Sequence, residues 1–152
     1  MTSLMHFVNR TARCFTLYRN NRLEDKGING YQHLYIIKIC KHPGILQDEL
    51  VREIYVNKSS VARQLSLLEQ NGFIRRIPYP DDRRQLMVYP TEKAVAVYPE
   101  VLAVREAWNG RLLEEFSEEE KALLLSMMER VSAKAVELLP QPKQSEGDER
   151  GK

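Results

Sequence analysis

The sequence has few of the residues that mark several large classes of protein. Its 152 residues include only two cysteines, Cys14 and Cys40, whose spacing fits neither a disulfide framework nor a zinc site. Seven glycines and seven prolines are too few for a fibrous or a disordered chain. No apolar run approaches the roughly 20 residues that span a bilayer. We therefore expect one globular domain that buries both cysteines as small core residues.

Signals for export and for catalysis are also missing. The N-terminal stretch MTSLMHFVNRTARCF is interrupted by charge, so we expect no secretory signal, no membrane partner and a cytoplasmic location. Three histidines, at 6, 33 and 42, show no metal-ligand spacing, and a glycine-rich phosphate loop is absent. No Ser/His/Asp set or carboxylate pair in an apolar setting is present. The sequence thus predicts a protein that is not an enzyme and needs no metal or cofactor.

The charge of the chain is unevenly distributed although its net value is only +2. Residues 1–43 hold seven Lys and Arg against two Asp and Glu, and residues 57–84 hold six against three. Residues 85–140 reverse the balance, with six basic and ten acidic groups. Because phosphate binding depends on local cationic surface, this pattern favours a nucleic-acid partner for the first part of the chain.

The apolar spacing predicts a mainly α-helical fold with one small hairpin. The predicted helices cover about 3–20, 31–41, 46–54, 57–71, 92–113 and 117–139. A linker is expected over 21–30, and the polar tail from 140 to 152 should be disordered. The run Ser117-Glu118-Glu119-Glu120 is a capping box, and the apolar stripe of the helix that follows suggests a further interface.

The helix that begins after Asn57 has two distinct faces. Val61, Leu65 and Leu68 recur at i, i+4 and i+7, so they must face the core. Ser59, Arg63, Ser66 and Gln70 then point outward, while Ser60 and Gln64 lie on the flanks. Arginine can bond guanine and glutamine can bond adenine in a major groove, and Lys58, Ser59 and Ser60 lie in the first turn, which favours a phosphate. The helix is therefore a candidate reader of DNA.

A basic hairpin comes directly after this helix. Its strands are predicted over 73–77 and 85–89, with an acidic-basic turn from Pro80 to Arg84 between them. It carries Arg75, Arg76, Arg83 and Arg84, and Asp82 can pair with Arg84 to stiffen the tip. An arginine held there can enter a narrow minor groove. Since an isolated hairpin is marginal in water, it should pack on the two preceding helices.

The order of helices, hairpin and long C-terminal helices resembles the MarR family of transcriptional regulators. Two segments carry the resemblance, GILQDELVREIYVNKSSVARQLSLLEQNGFIRR and PDDRRQLMVYPTEKA. The Asp-x-Arg signature of the family's wing matches Asp82-Arg83-Arg84, and its Leu-Glu-x-x-Gly passage matches the run from Leu68 to Gly72.

The resemblance implies a fold, a partner and an assembly. The fold would be a winged helix-turn-helix, about 31–91, with N- and C-terminal dimerisation helices, about 3–20 and 92–139, in one domain over 1–139. The chain would be a homodimeric repressor that binds a pseudo-palindromic double-stranded DNA operator. The DNA-binding residues would be Lys58, Ser59, Ser60, Arg63, Gln64, Arg75, Asp82, Arg83 and Arg84.

Two further functions and one rival stay open. Many members of the family bind small aromatic acids, and the candidates by position are Arg13, Tyr18, Tyr31, His33 and Tyr35. The run Cys14-Phe15-Thr16-Leu17-Tyr18 is similar to the peroxide-sensing branch, in which oxidation of a cysteine such as Cys14 releases DNA. The rival is a winged helix that binds another protein and does not bind DNA. For such a protein, a titration with duplex DNA would show no salt-dependent binding.

Overall fold

The structure, a computed structural model, describes residues 3–140. The described chain is mainly α-helical with one small antiparallel sheet, as predicted. Its elements are α1 Leu4–Leu23, α2 Gln32–Lys41, β1 Ile45–Leu46, α3 Gln47–Ile54, α4 Lys58–Gln70, β2 Ile74–Tyr79, β3 Asp82–Pro90, α5 Glu92–Leu112 and α6 Glu118–Glu137. A short 3₁₀ helix, Glu24–Lys26, follows α1. The tail from 141 onward, for which we expect disorder, lies outside the described residues.

The chain divides after Arg111 into two compact units, and the first contains the hydrophobic core. The predicted core face of α4 is confirmed, because Val61, Leu65 and Leu68 are completely buried. They lie in one cluster with Phe73, which precedes β2, and with apolar side chains of α2, α3, β3 and α5, namely Ile36, Ile39, Leu50, Val88, Ala94 and Val101. This packing fixes which face of α4 is turned away from the protein.

The turn between α3 and α4 and the end of α4 are set by single residues. Tyr55, the residue after α3, has a left-handed backbone with φ of 58°, which is unusual for a residue with a side chain. Asn57 caps α4 by accepting the backbone N–H of Ser60 at 2.8 Å. Gly72 adopts φ of 79° after α4, and the N–H of Phe73 then bonds the carbonyl of Leu68 at 2.9 Å.

The sheet has three strands in the order β1-β3-β2, all antiparallel. Its first strand was missed by the sequence prediction, because two residues are too few to show an alternating pattern. Ile45 pairs with Val88 and Leu46 with Met87, so β1 ties the start of α3 to the hairpin. The hairpin strands are also longer than predicted, and the turn is reduced to Pro80 and Asp81.

The linker predicted over 21–30 is mostly folded. Helix α1 continues to Leu23, and the 3₁₀ helix follows at once. Leu23 and Ile28 are each 1% exposed, and the N–H of Ile28 bonds the carbonyl of Leu23 at 3.2 Å. These two apolar residues hold the segment against the core. The polar composition of the segment gave no sign of this packing.

The prediction that both cysteines are buried is wrong for Cys14. Cys14 is exposed, whereas Cys40 is half-buried and packs against the core cluster. The cause is the exposure of α1, on which only Arg19 and Leu23 are buried. Leu4, Met5, Phe7 and Leu17 on the same helix are also at least half exposed.

Helix α6, in the second unit, begins with the predicted capping box. Ser117 accepts the N–H of Glu120 at 3.2 Å, and Glu120 accepts the N–H of Ser117 at 2.8 Å. None of its described residues is buried. Its apolar side chains are therefore exposed, including Leu123, Leu125, Met127, Met128, Val131 and Val136. Such a stretch of apolar surface is typical of an interface.

Candidate nucleic-acid interface

The first turn of α4 presents polar groups around its N-terminus. Asn57 accepts the hydroxyl of Ser59 at 2.8 Å as well as the N–H of Ser60. The Nζ of Lys58 lies 3.5 Å from a carboxylate oxygen of Asp48, and both side chains are exposed, so the pair adds little to stability. Lys58 and Ser59 thus face solvent at the end of a helix whose dipole and first N–H groups favour an anion.

Arg63 and Gln64 occupy the next turn of α4 and differ in freedom. Arg63 is exposed, as predicted, whereas Gln64 is half-buried on the flank. The Nε2 of Gln32 in α2 donates to the Oε1 of Gln64 at 3.3 Å. Ser60, Arg63 and Gln64 also line a groove between α2 and α4, with a volume of about 650 Å³. One side of the candidate reading helix therefore borders a cleft.

The tip of the hairpin carries its two most prominent cations. On β2, Pro78 and Tyr79 are consecutive, but their partners on β3 are Leu86 and Asp82. Arg83, Arg84 and Gln85 thus lie between two neighbouring rungs of the ladder. The Arg84 side chain is 93% exposed, and its Nε lies 3.3 Å from the Oδ1 of Asp82, which confirms the predicted pair.

Asp82 is held by more than one donor. It accepts the backbone N–H of Arg84 at 3.2 Å and the amide of Gln85 at 3.3 Å. The backbone N–H of Arg84 lowers the pKa of the Asp82 carboxyl, and the side chains of Gln85 and Arg84 act in the same direction. The carboxylate consequently stays ionised and organises the tip, while Arg83 and Arg84 remain exposed.

Arg75 and Arg76 are neighbours on β2 but lie on opposite faces. Arg75 is exposed, with its guanidinium 5.5 Å from the ring centre of Tyr89. Arg76 is turned inward, where it donates to Glu69 at 2.6 Å, to Ser66 at 3.2 Å and to Gln47 at 3.4 Å. Sequence composition groups these two arginines together, whereas the strand alternation separates them. Arg76 joins the hairpin to α3 and α4.

Replacing Arg76 with alanine should lower the free energy of unfolding by about 1–3 kcal/mol, because hydrogen bonds to a partly buried charge are lost. Replacing Arg75 with alanine is the matched control and should cost no more than about 0.5–1 kcal/mol, since it removes one exposed cation–π contact. Urea unfolding of both variants measures the difference. Equal losses would show that Arg76 does not hold the hairpin to the helices.

Two of the five ligand candidates lie at the groove. Tyr31 and Tyr35 line it together with Leu34, Ile54, Val56 and Leu67. Arg13 is exposed on α1, and Tyr18 packs against Trp108 of α5 with ring centres 5.0 Å apart. His33 is 4% exposed and faces α1. The structure therefore brings two of these residues to one cleft and leaves the other three outside it.

Arg19 and His33 form a buried polar cluster that sequence reasoning missed. Arg19 is 2% exposed, its Nη2 donates to the carbonyl of Gly30, and its Nη1 lies 3.5 Å from the Nε2 of His33. Its guanidinium also lies 5.0 Å from the ring centre of Phe15. Burial lowers the pKa of His33 to about 4, and the charge of Arg19 acts in the same direction.

This shift predicts a loss of stability in acid. The folded state keeps His33 neutral down to a pKa of about 4, whereas the unfolded chain gains a proton below about 6.5. Stability should therefore be fully present above pH 6.5 and fall by roughly 2–3 kcal/mol by about pH 4.5 because of this group. Urea midpoints of wild type and His33→Gln, at both pH values, isolate the effect. His42→Gln, at an exposed position, should keep the full dependence of stability on pH. If His33→Gln also kept it, His33 would not be the group responsible.

Residues 3–140 bring together no group of three or more His, Cys, Asp or Glu side chains suited to a metal ion. Across the same residues, the helices all lack the combination of length and apolar character that crossing a membrane requires.

These elements define a class of protein. A helix-turn-helix, α3 and α4, is followed by an antiparallel hairpin with exposed arginines at its tip, which is the layout of a winged helix-turn-helix protein. The MarR family model matches residues 28–86, which cover α2 through most of β3.

Known proteins are similar to this chain, in sequence and in structure, over most of its length. The regulator YybA of Bacillus subtilis (strain 168), an uncharacterised HTH-type transcriptional regulator, is 30% identical over 86% of this chain and 87% of its own length. A crystal structure of MarR is 30% identical with a TM-score of 0.82, covering 90% of this chain and 93% of that one. A protein from Listeria monocytogenes complexed with 26mer DNA shares the fold at 24% identity and a TM-score of 0.84, covering 90% and 91%. The chain belongs to the MarR family of transcriptional regulators, and it is not an enzyme.

Proposed function

We propose that this chain is a homodimeric transcriptional repressor that binds a pseudo-palindromic DNA operator and is released by a small ligand. The observation that carries the proposal is that Ser59 and Arg63 are exposed on α4 and that the hairpin following α4 carries exposed Arg83 and Arg84 at its tip. The helix fits a major groove, and the wing reaches the backbone or the adjacent minor groove.

The roles of the DNA-binding residues divide between positioning and reading. Lys58, Ser59 and Ser60, in the first turn of α4, hold a phosphate and set the register of the helix. Arg63 and Gln64 contact base edges. Arg75, Arg83 and Arg84 hold the flanking DNA, and Asp82 orients Arg84 through their 3.3 Å contact. The Listeria relative solved with 26mer DNA supports this use of the shared fold.

Dimerisation is supported by apolar surface that one chain leaves exposed. Leu4, Met5 and Phe7 on α1 are each at least 50% exposed. On α6, Leu123 and Leu125 are about as exposed, at 62% and 60%. Covering these residues with a second copy would remove two apolar helix faces from water. We therefore assign α1, α5 and α6 to dimerisation and residues 31–91 to the winged helix, within one domain over 1–139.

Release by a small ligand is supported by the groove between α2 and α4. Its lining combines the aromatic rings of Tyr31 and Tyr35 with apolar Leu34 and Leu67. Arg63 borders the same space and offers a charge to an acidic group. An aromatic acid bound there would contact α4 directly and change its approach to DNA. A regulator of this kind acts in the cytoplasm, where its DNA is.

Selection of bound duplexes from a random pool tests the proposed function. We expect an enriched pseudo-palindrome whose half-sites are about 10 bp apart, since two copies of α4 would read successive major grooves. Enrichment of a single unrepeated site would contradict the dimeric mode, and a pool without enrichment would contradict sequence-specific binding altogether.

A further inference from the structure

Within the described residues, three polar or charged side chains are buried. Two of the three connect a neighbouring helix to α2 or to the residues just before it. These three are Arg19, Gln32 and His33, with exposures of 2%, 6% and 4%. Arg19 reaches from α1 to the carbonyl of Gly30, just before α2. Gln32 reaches from α2 to α4. A buried amide that is hydrogen-bonded at both ends has a defined orientation, because reversing it would leave a donor facing a donor.

The orientation of Gln32 follows from a backbone group. The N–H of Asn29 can only donate, and the side-chain atom of Gln32 that accepts it, at 3.1 Å, is therefore the oxygen Oε1. The other side of the amide, Nε2, then faces α4 as a donor. It meets the side chain of Gln64 at 3.3 Å, and Gln64 must accept with its own oxygen. The backbone N–H of Asn29 thus sets the direction of both amides.

The orientation of the Gln64 amide decides which group this side chain presents to a ligand of α4. Its Oε1 is turned toward α2 and bonded, so its Nε2, with two N–H groups, is the part left for a partner. Gln64 is half-buried and lies one residue after exposed Arg63. A glutamine free to rotate can present either a donor or an acceptor to a base. This one is held as a donor.

We propose that Gln32 is a specificity-determining positioning residue, which fixes Gln64 as a hydrogen-bond donor toward the operator. The proposal rests on the DNA-binding function proposed above. In the major groove, guanine offers the acceptors N7 and O6, whereas cytosine offers the donor N4. Guanine is the one base that offers two acceptors and no donor there, so Gln64, with two N–H groups, selects guanine over cytosine at one position of each half-site. Gln32, which touches no DNA, sets that choice.

Replacing Gln32 with glutamate tests the proposal with an almost isosteric change. The new carboxylate still accepts the N–H of Asn29 but has no proton to donate. Gln64 must then turn its Nε2 toward α2 and its Oε1 outward, so that it presents an acceptor. The preferred base at this position should change from guanine to cytosine. The affinity for guanine relative to cytosine should fall by about 3- to 10-fold, which is the value of one hydrogen bond.

Random-pool selection with wild type and Gln32→Glu in parallel gives the readout. A change from guanine to cytosine at one position per half-site, with the other positions unchanged, is the expected result. Identical half-sites for the two proteins would overturn the proposal. Gln64→Glu presents an acceptor whatever Gln32 does, so it should prefer cytosine at the same position and thereby identify it; an effect at a different position would also overturn the proposal.

A buried carboxylate can unfold the chain, so a second variant is needed. Gln32→Met keeps the size of the side chain and removes both hydrogen bonds. It should reduce the preference for guanine over cytosine by about 3- to 10-fold and keep the rest of the half-site. Preference equal to wild type would contradict the proposal. Fluorescence of Trp108, the one tryptophan of the chain, reports folding of each variant.

The two proposals fail in different ways. If the wild type enriches no duplex, the proposed function fails and the role of Gln32 falls with it. If the wild type enriches a half-site and the Gln32 variants leave its bases unchanged, only the role of Gln32 fails.

Discussion

Replacing Arg63 and Arg84 together with alanine should weaken operator binding by about 2–6 kcal/mol, because each contributes about 1–3 kcal/mol and they lie on different elements. Arg63 is exposed on α4, and the Arg84 side chain is 93% exposed at the wing tip. Neither supports the core, so the folded chain should survive the change. Titration of a fluorescent operator by anisotropy, at one fixed salt concentration, measures the loss.

A matched control removes the same amount of charge elsewhere. Lys26 and Lys41 are exposed, and they lie outside α4 and the wing. Replacing both with alanine should reduce affinity only through the weaker general field of the protein. If this pair weakened binding as much as the Arg63 and Arg84 pair, affinity would depend on total charge, and the assignment of α4 and the wing as contacts would be wrong.

Replacing Leu65 with alanine should lower the free energy of unfolding by about 2–5 kcal/mol. Leu65 is completely buried on the core face of α4, so the change removes apolar contacts and leaves a cavity. A loss of this size is a large fraction of the stability of a small domain. The same change should weaken operator binding, since α4 is both part of the core and the candidate reading helix.

Leu67, two residues further along α4, provides the control. It is 40% exposed and borders the groove, so Leu67→Ala should cost less than about 1 kcal/mol. Urea unfolding of both variants, followed by Trp108 fluorescence and circular dichroism, compares the two. Similar losses would mean that the division of α4 into a buried and an exposed face is incorrect.

The helix-turn-helix and the hairpin could be predicted because short-range rules determine them. The spacing of Val61, Leu65 and Leu68 fixed one face of α4, and Asn57 and Gly72 marked its ends. The capping box at Ser117 and the pair between Asp82 and Arg84 are also local, separated by two or three residues. Such contacts depend on the helix period and on turn geometry, both of which can be read from the sequence.

The features that were missed depend on residues distant in sequence. Arg76 meets Gln47, which is 29 residues away, and Gln32 meets Gln64, which is 32 residues away. The identity of a single polar residue does not indicate which distant residue it will contact. The two-residue strand β1 forms only because β3 is beside it. The exposure of Cys14 followed from how little of α1 the rest of the chain covers, which apolar composition alone did not reveal.

The most direct test of sequence-specific DNA binding is the affinity for the selected duplex and for a scrambled duplex between about 50 and 200 mM salt. With six or more phosphate contacts, affinity for both should fall by about a thousandfold or more across that range. The selected duplex should bind at least about a thousandfold more tightly than the scrambled one at physiological salt. Affinity that does not change with salt, or equal affinity for the two duplexes, would contradict the account and favour a winged helix that binds another protein.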